Sequence, residues 1–448
     1  MQIVKSGTEA FDAGLARIAA RFNSLANELA DEGRELAMRV YGEPLTPLQG
    51  VQRIISDVRR TGDTAVSLYT EKFDGVQLSP SEFLVPEDEV LASVDKVSPA
   101  LMKAMRIAKE NIFHYQQHIK PRAPRDIVLG EKTIGLRMGP LASAALYAPH
   151  GLAPYPSTVL MTAVPAKVAG VKRIVLCTPP RKDKSVPPEI LAAAAECGVT
   201  EVYRVNGVAA IAMMAYGTQT VDRVDKIVGP GQSVIQLAKK EVFGAVSLDQ
   251  FAGPTEILVI ADQTANPAWV AADLLSQAEH NPDSSAILVT TEPQLAELVS
   301  EEVEKQIEQL SKKDVARHSI DNYGLIIVTD SLEQSIDIAE QIAPEHLELH
   351  IDQAERGAER IKNAGTIFIG PYAPEAVGDY IAGPSHVLPS GGTARFFSGL
   401  SVSDFMRQWS VTYYSRGGLR SIQDDITEIA ESEGFDGHAK SARIRFQK

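Results

Sequence analysis

Four short stretches of this sequence carry side chains that could do chemistry. Ala343-Pro344-Glu345-His346-Leu347-Glu348 sets a carboxylate beside an imidazole. Histidine is the side chain whose ordinary pKa suits proton transfer near neutrality, and a neighbouring glutamate can activate water. Ser276-Gln277-Ala278-Glu279-His280 places an amide oxygen and an imidazole at i and i+3, one face of a helix end, where the two can coordinate a borderline cation. Gly378-Asp379-Tyr380, with Ser385-His386 a little further on, lies among Gly370, Pro371, Pro374, Gly383 and Pro384. That density reads as an irregular loop rather than a helix, and such loops often carry sites. Gly229-Pro230-Gly231-Gln232 is a glycine turn able to bring backbone N–H groups to a phosphate, although neither GxGxxG nor GxxxxGK[ST] occurs.

Taken singly, each stretch has a plainer reading: a capped helix end, a solvated Glu-His pair at a strand entry, a Gly/Pro turn. His114 and His118 are i, i+4 on a helix, but Tyr115-Gln116-Gln117 stands between them where HExxH requires a glutamate. His150, His318 and His350 show no partner in the sequence.

The elements that must hold these residues follow from periodicity. Residues from about 10 to 120 are helix-rich, with Val51, Ile54, Ile55 and Val58 at helical spacing. From Ala144 to Tyr147 onward, short apolar runs alternate with helical segments: Arg173 to Cys177, Glu201 to Val205 and Lys226 to Val228. A second set runs through Glu256 to Ile260, Ala286 to Val289, Leu325 to Val328 and Thr366 to Ile369. Continuous apolar strands between helices predict parallel sheets covered on both faces, so two α/β units of Rossmann type are expected, parting near Phe251 to Pro254. The glycine turn then sits between a strand ending at Val228 and a helix, and Gln277 and His280 close a helix that starts at Asn266-Pro267 and stops by Pro282. Pro344 ends a helix from Leu332 to Ile342, after which Leu347, Leu349 and Ile351 alternate as a strand. The last fifty or so residues lack this rhythm and read as a short helical tail (Ile422 to Glu433) suited to docking.

At 448 residues the chain is too long for one ordinary core. Its formal net charge of −14 disfavours a nucleic-acid partner, which needs a basic face. With two cysteines, Cys177 and Cys197, in no CxxC or Cys/His cluster, a disulfide framework or thiolate zinc site is not expected. A metal would be held by His, Asp, Glu or amide oxygens. No apolar run reaches membrane-spanning length and no basic-then-apolar leader opens the chain, so a cytoplasmic location is expected.

In this order the motifs resemble the histidinol dehydrogenase family. The likeness covers nearly the whole chain: Leu146 to Pro149 with Pro154 to Met161, Pro165 to Gly170, Ala252-Gly253-Pro254, Asp273 to His280, Ala343 to Glu348, Gly378 to Tyr380 and His386 to Pro389. The resemblance implies Zn2+ held by Gln277, His280 and Asp379 of one subunit and by His438 of a second. It makes His346 the general base and Glu345 the water-activating group, with Thr255, His386 and Glu433 touching substrate. Tyr147, Ala209 and Gln232 match positions that contact NAD. It implies a four-electron oxidation of an amino alcohol, L-histidinol, to L-histidine through the bound aldehyde, in a homodimer with shared active sites. The implied division is residues 1–146 with 255–400 for zinc and substrate, 147–254 for NAD, and 401–448 for dimerisation. Four positions depart from the family pattern: Thr255 stands for a serine, Ala209 for a glutamine, Gln232 for an asparagine and His150 for a glycine. They leave open a paralogue oxidising another small alcohol, such as a sulfonated propanediol, or a zinc-bound regulatory protein without redox activity.

Overall fold

The computed structural model describes residues 1–21, 31–149, 154–250 and 253–447. The chain divides into two compact units, one of Met1–Ile119 with Leu141–Phe405 and one of Lys120–Pro140 with Met406–Lys448.

Two parallel sheets organise the first unit. One has the order Glu201–Tyr203, Arg173–Cys177, Ser143–Tyr147, Lys226–Val228, Ser247–Leu248. The other has the order Gln2–Lys5, Gly324–Val328, Ser285–Thr290, Glu256–Ala261, His346–His350, Thr366–Ile369. Apart from the added N-terminal strand, both sheets run third, second, first, fourth, fifth in chain order. This is the doubly wound arrangement, in which the winding reverses beside the first strand.

Parallel strands need crossovers, and the crossover helices cover both faces, which explains the continuous apolar runs. In the six-stranded sheet Ile257, Val259, Ala286 and Leu288 pack under Pro267–Ala278 and Pro293–Ile307. Leu258, Ile260, Leu347 and Leu349 face the opposite way, against Glu9–Ala20 and Leu332–Ile342. Each such side chain contributes about 1.5–3 kcal/mol by leaving water. The helix Gly207–Tyr216, behind the five-stranded sheet, is buried all round because Pro47–Thr61 and Asp63–Asp74 of the helix-rich N-terminal region pack over it.

In the second unit, Met406–Tyr414 pairs antiparallel with Lys132–Pro140, and Ile127–Leu129 completes the sheet. The C-terminal segment, expected to be helical, therefore adds a nine-residue strand to the helices Gln423–Ser432 and Asp436–Arg443. The strand is half exposed and mixes Arg, Gln and Ser with its aromatic residues, so it has no apolar run to betray it. Cys177 and Cys197 are free and buried. No described helix is long and apolar enough to cross a membrane.

Candidate active site

Glu345 and His346 stand where Leu332–Ile342 gives way to the strand His346–His350. The helix stops at Ala343, held at φ 52°, a left-handed conformation unusual for a residue with a Cβ, and Pro344 prevents its resumption. Gly365 then passes so close behind that a Cβ there would lie 2.5 Å from the Glu345 carbonyl oxygen. Its neighbour Thr366 donates its N–H to that oxygen at 3.0 Å. The backbone carrying the pair is pinned on both sides.

The side chains are held as firmly. Glu345 Oε2 accepts from Thr255 Oγ1 at 2.7 Å and from the Glu256 N–H at 2.9 Å. Burial pushes its carboxyl well above the ordinary range, outweighing the Thr255 hydrogen bond. His346 Nδ1 lies 3.0 Å from the Glu256 carbonyl oxygen, which only accepts, so Nδ1 carries the proton and Nε2 the lone pair. Nε2 is buried with no hydrogen-bond partner among the described residues, and burial holds the imidazole below its usual pKa. A neutral ring with a bare, fixed Nε2 is a base awaiting a proton donor.

Thr255 Oγ1 also lies 2.7 Å from Gln277 Oε1, while Gln277 Nε2 is buried without a partner. One hydroxyl proton cannot serve both Glu345 and an amide oxygen. Turning the Gln277 amide by half a revolution lets its Nε2 donate to Thr255 and leaves its oxygen bare. That orientation satisfies every polar atom except one acceptor, which suits a metal ligand.

Asp379 approaches from another element. Its Oδ1 lies 3.8 Å from His346 Nε2, and its backbone carbonyl accepts from His386 Nδ1 at 2.9 Å. His386 Nε2 is thereby turned toward Thr158 Oγ1, 3.4 Å away. The expected irregular loop holds a short helix here, Glu375–Tyr380. Gly378 reads as a helix breaker, yet it is there for packing: a Cβ would meet the Phe368 ring at 2.5 Å. His280 lies just beyond the end of Pro267–Ala278 and is within charge range of Glu375 and His386. Burial raises the Asp379 carboxyl to about 6 and that of Glu375 to about 7.

Among the described residues two groups of His, Asp and Glu side chains converge closely enough to share an ion: His346, Glu375 and Asp379; and Asp273, Glu348 and His350. Glu375, Asp273, Glu348 and His350 were not singled out in the sequence. The signal was available, because the strand's outward alternates to Leu347 and Leu349 are His346, Glu348 and His350. In a sheet covered on both faces those positions are buried too. His114, by contrast, is a surface residue beside Glu110.

The remaining positions lie elsewhere. Tyr147 ends the first strand of the five-stranded sheet, its hydroxyl donating to Asn206 Oδ1 at 2.7 Å. Ala209 is buried in the first turn of Gly207–Tyr216, and Gln232 is the exposed N-cap of Ser233–Val242. Between them, Gly229 (φ 121°) presses against Tyr147, whose carbonyl oxygen would be 2.2 Å from a Cβ at that position. Glu433 and His438 belong to the second unit; both are exposed, and the His438 ring packs on Phe435 at 5.3 Å. His150, Phe251 and Ala252 lie outside the described residues.

Two doubly wound sheets, one of them carrying a buried carboxylate–imidazole pair beside metal-type side chains, define an α/β enzyme built for proton transfer. The chain belongs to the histidinol dehydrogenase family, whose model matches residues 45–446. It is 47% identical over 422 residues to histidinol dehydrogenase of Moorella thermoacetica, covering 92% of this chain and 98% of the relative. It is 46% identical over 403 residues to the Bacillus cereus enzyme, covering 90% and 93%. The crystal structure of histidinol dehydrogenase from Elizabethkingia anophelis superposes with a TM-score of 0.86 at 34% identity, covering 99% of this chain and 98% of that one. Membership makes the chain an oxidoreductase and sets aside the regulatory protein without redox activity.

Proposed function

We propose that this enzyme oxidises L-histidinol to L-histidine in two NAD-linked steps, keeping the intermediate aldehyde bound. The observation that carries this reading is the buried pair itself: His346, whose Nδ1 faces the Glu256 carbonyl and whose Nε2 has no hydrogen-bond partner among the described residues, beside Glu345 held by the Thr255 hydroxyl and the Glu256 N–H.

His346 Nε2 takes the alcohol proton in the first oxidation. Glu345, oriented by the Thr255 hydroxyl and the Glu256 N–H, takes a proton from the water that adds to the aldehyde. A carboxyl with a raised pKa is the stronger base once ionised, which is what hydration of a carbonyl asks of it. The proton that His346 took passes to the aldehyde oxygen as water adds, so Nε2 is bare again and receives the hydrate proton in the second oxidation. Exclusion of water from the site would protect an amino aldehyde that would otherwise react in solution.

The donor set fits zinc. Gln277 offers a bare amide oxygen in its satisfied orientation, and Asp379 and His280 supply carboxylate and imidazole. His438 from a second subunit would complete the set, with Glu433 beside the substrate; their exposure on the second unit supports a shared-site homodimer. Zinc, when bound, would anchor the amino alcohol through its nitrogen atoms. NAD would accept the electrons at the winding reversal of the five-stranded sheet, where Tyr147 ends one strand and Gln232 caps the helix after its neighbour, with Ala209 on the helix Gly207–Tyr216. The implied domain roles follow: 147–254 for NAD, 1–146 with 255–400 for zinc and substrate, 401–448 for pairing. A cytoplasmic location suits such an enzyme.

Steady-state turnover of zinc-loaded protein with L-histidinol and NAD should yield two NADH per histidinol consumed. Turnover of a sulfonated propanediol with no turnover of histidinol would move the reading to the paralogue. One NADH per histidinol would sink the role of Glu345 in hydration.

A further inference from the structure

Glu348 lies two residues beyond His346 on the same strand, hence on the same sheet face, and is fully buried. None of the chemistry above uses it. Its Oε1 accepts the backbone N–H of Glu375 at 2.6 Å. Glu375 opens the helix Glu375–Tyr380, and Asp379 lies one turn further along it. The first N–H groups of a helix have no acceptor within it, so this one depends on what faces it.

The carboxylate that supplies the acceptor has an imidazole and a second carboxyl beside it. His350 Nε2 lies 3.3 Å from Glu348 Oε2 and 3.5 Å from Asp273 Oδ2. The Asp273 and Glu348 carboxyls converge on that imidazole, and Glu348 Oε2 is buried with no hydrogen-bond partner among the described residues. Ser276, on the same helix as Asp273, reaches Glu375 from its other side, with Oγ 3.1 Å from Oε2. Glu348 thus ties the strand that carries His346 to the helix that carries Asp379, and the Glu375 carboxylate ties that helix to the one that carries Gln277.

We propose that Glu348 is a positioning residue that sets the distance between Asp379 and His346, acting through the Glu375 N–H. This rests on the reading of Asp379 as a metal ligand. A merely structural buried carboxylate would affect global stability alone. A positioning one affects the Glu375–Tyr380 helix first.

The test uses the full-length protein and two variants. In Glu348→Gln the amide oxygen still accepts from Glu375 and the amide nitrogen donates to Asp273; Glu348→Leu fills the space without an acceptor. Expected for Glu348→Leu is a zinc affinity, measured against a competing chelator, weakened about 10–100-fold, with Glu348→Gln within about threefold of wild type. Amide exchange in the segment 374–381 of zinc-free protein should rise about tenfold in Glu348→Leu and little in Glu348→Gln, under conditions where the rest of the first unit keeps its protection. Unchanged affinity and exchange in Glu348→Leu, or equal damage in both variants, overturns the proposal. Should Glu348→Leu fail to fold, the wild type decides: fast exchange of the Glu375 amide overturns the proposal, and protection of that amide together with a wild-type-like Glu348→Gln supports it. Wild-type protein that binds no zinc or leaves histidinol untouched defeats the earlier reading, while the exchange result still decides this one.

Discussion

The two sheets of the first unit share a strand order and use opposite ends of it. In the five-stranded sheet the features of interest gather where strands finish: Tyr147 closes one, and Gly229 follows the next. Backbone matters most there. Gly229 owes its place to a positive φ and to the Tyr147 carbonyl pressed against it, and its N–H is held by Asp249 Oδ2 at 2.8 Å. In the six-stranded sheet the reactive residues gather where strands begin. Thr255 and Glu256 open one strand and Glu345 and His346 open its neighbour, and there side chains rather than backbone make most of the contacts. A crevice at strand ends suits a long ligand read by N–H groups. A recess roofed by helices suits a small polar molecule met by fixed acids and bases.

The largest effect that would sharpen this contrast belongs to Glu345. Glu345→Gln keeps the Thr255 and Glu256 contacts but not the base, so turnover of histidinol to histidine should fall about 10²–10⁴-fold. Oxidation of alcohol to aldehyde, read as a single-turnover burst of NADH, should fall far less. Equal loss in both phases would break the division of labour between Glu345 and His346.

On the five-stranded side the ion pair under the glycine turn comes next. Lys239 and Asp249 are each 1% exposed, and Lys239 Nζ also donates to the Gly229 carbonyl at 3.1 Å. Lys239→Met strands a buried carboxylate and should cost about 3–5 kcal/mol in denaturant unfolding, with much of it recovered in Lys239→Met/Asp249→Leu. NAD affinity should fall in both, because the turn loses its anchor; unaltered affinity would separate the turn from the cofactor.

The smallest effect is a pH dependence on the other sheet. Burial raises Asp273 to about 8 and Glu348 to about 7. Groups raised above their unfolded values lend stability that is full below those values and lost as pH climbs through the folded ones. The unfolding midpoint of zinc-free protein should therefore drop as pH climbs from about 4 to about 8. Asp273→Asn should flatten that drop, and a midpoint that rises with pH would contradict the raising of these carboxyls by burial.

Much of this was legible in one dimension. Apolar runs between helices gave two parallel sheets, because a strand buried on both faces has no polar alternate to show. The helix from Leu332 to Ile342 was read at its true limits and the strand after it was placed by Leu347 and Leu349, although it ends one residue short of Ile351, since Pro344 and the alternation are local signals. The helix at Glu375–Tyr380 was not, because its cause is a ring, Phe368, that only the folded chain brings to Gly378. The strand Met406–Tyr414 escaped because a half-exposed strand carries no run.

By itself, then, the sequence determined the alternation of strands and helices, the turn at Gly229, and which few residues have the chemistry of bases and ligands; these depend on side-chain type and on spacing along the chain. Only the tertiary structure decided which of them meet. Thr255 reaches both Gln277 and Glu345, and Glu348 reaches Glu375, through contacts between strands and crossover helices far apart in sequence. Protonation was decided there too, since the neutral His346 and the raised Glu345 follow from burial and from the Glu256 backbone, neither of which exists before the chain folds.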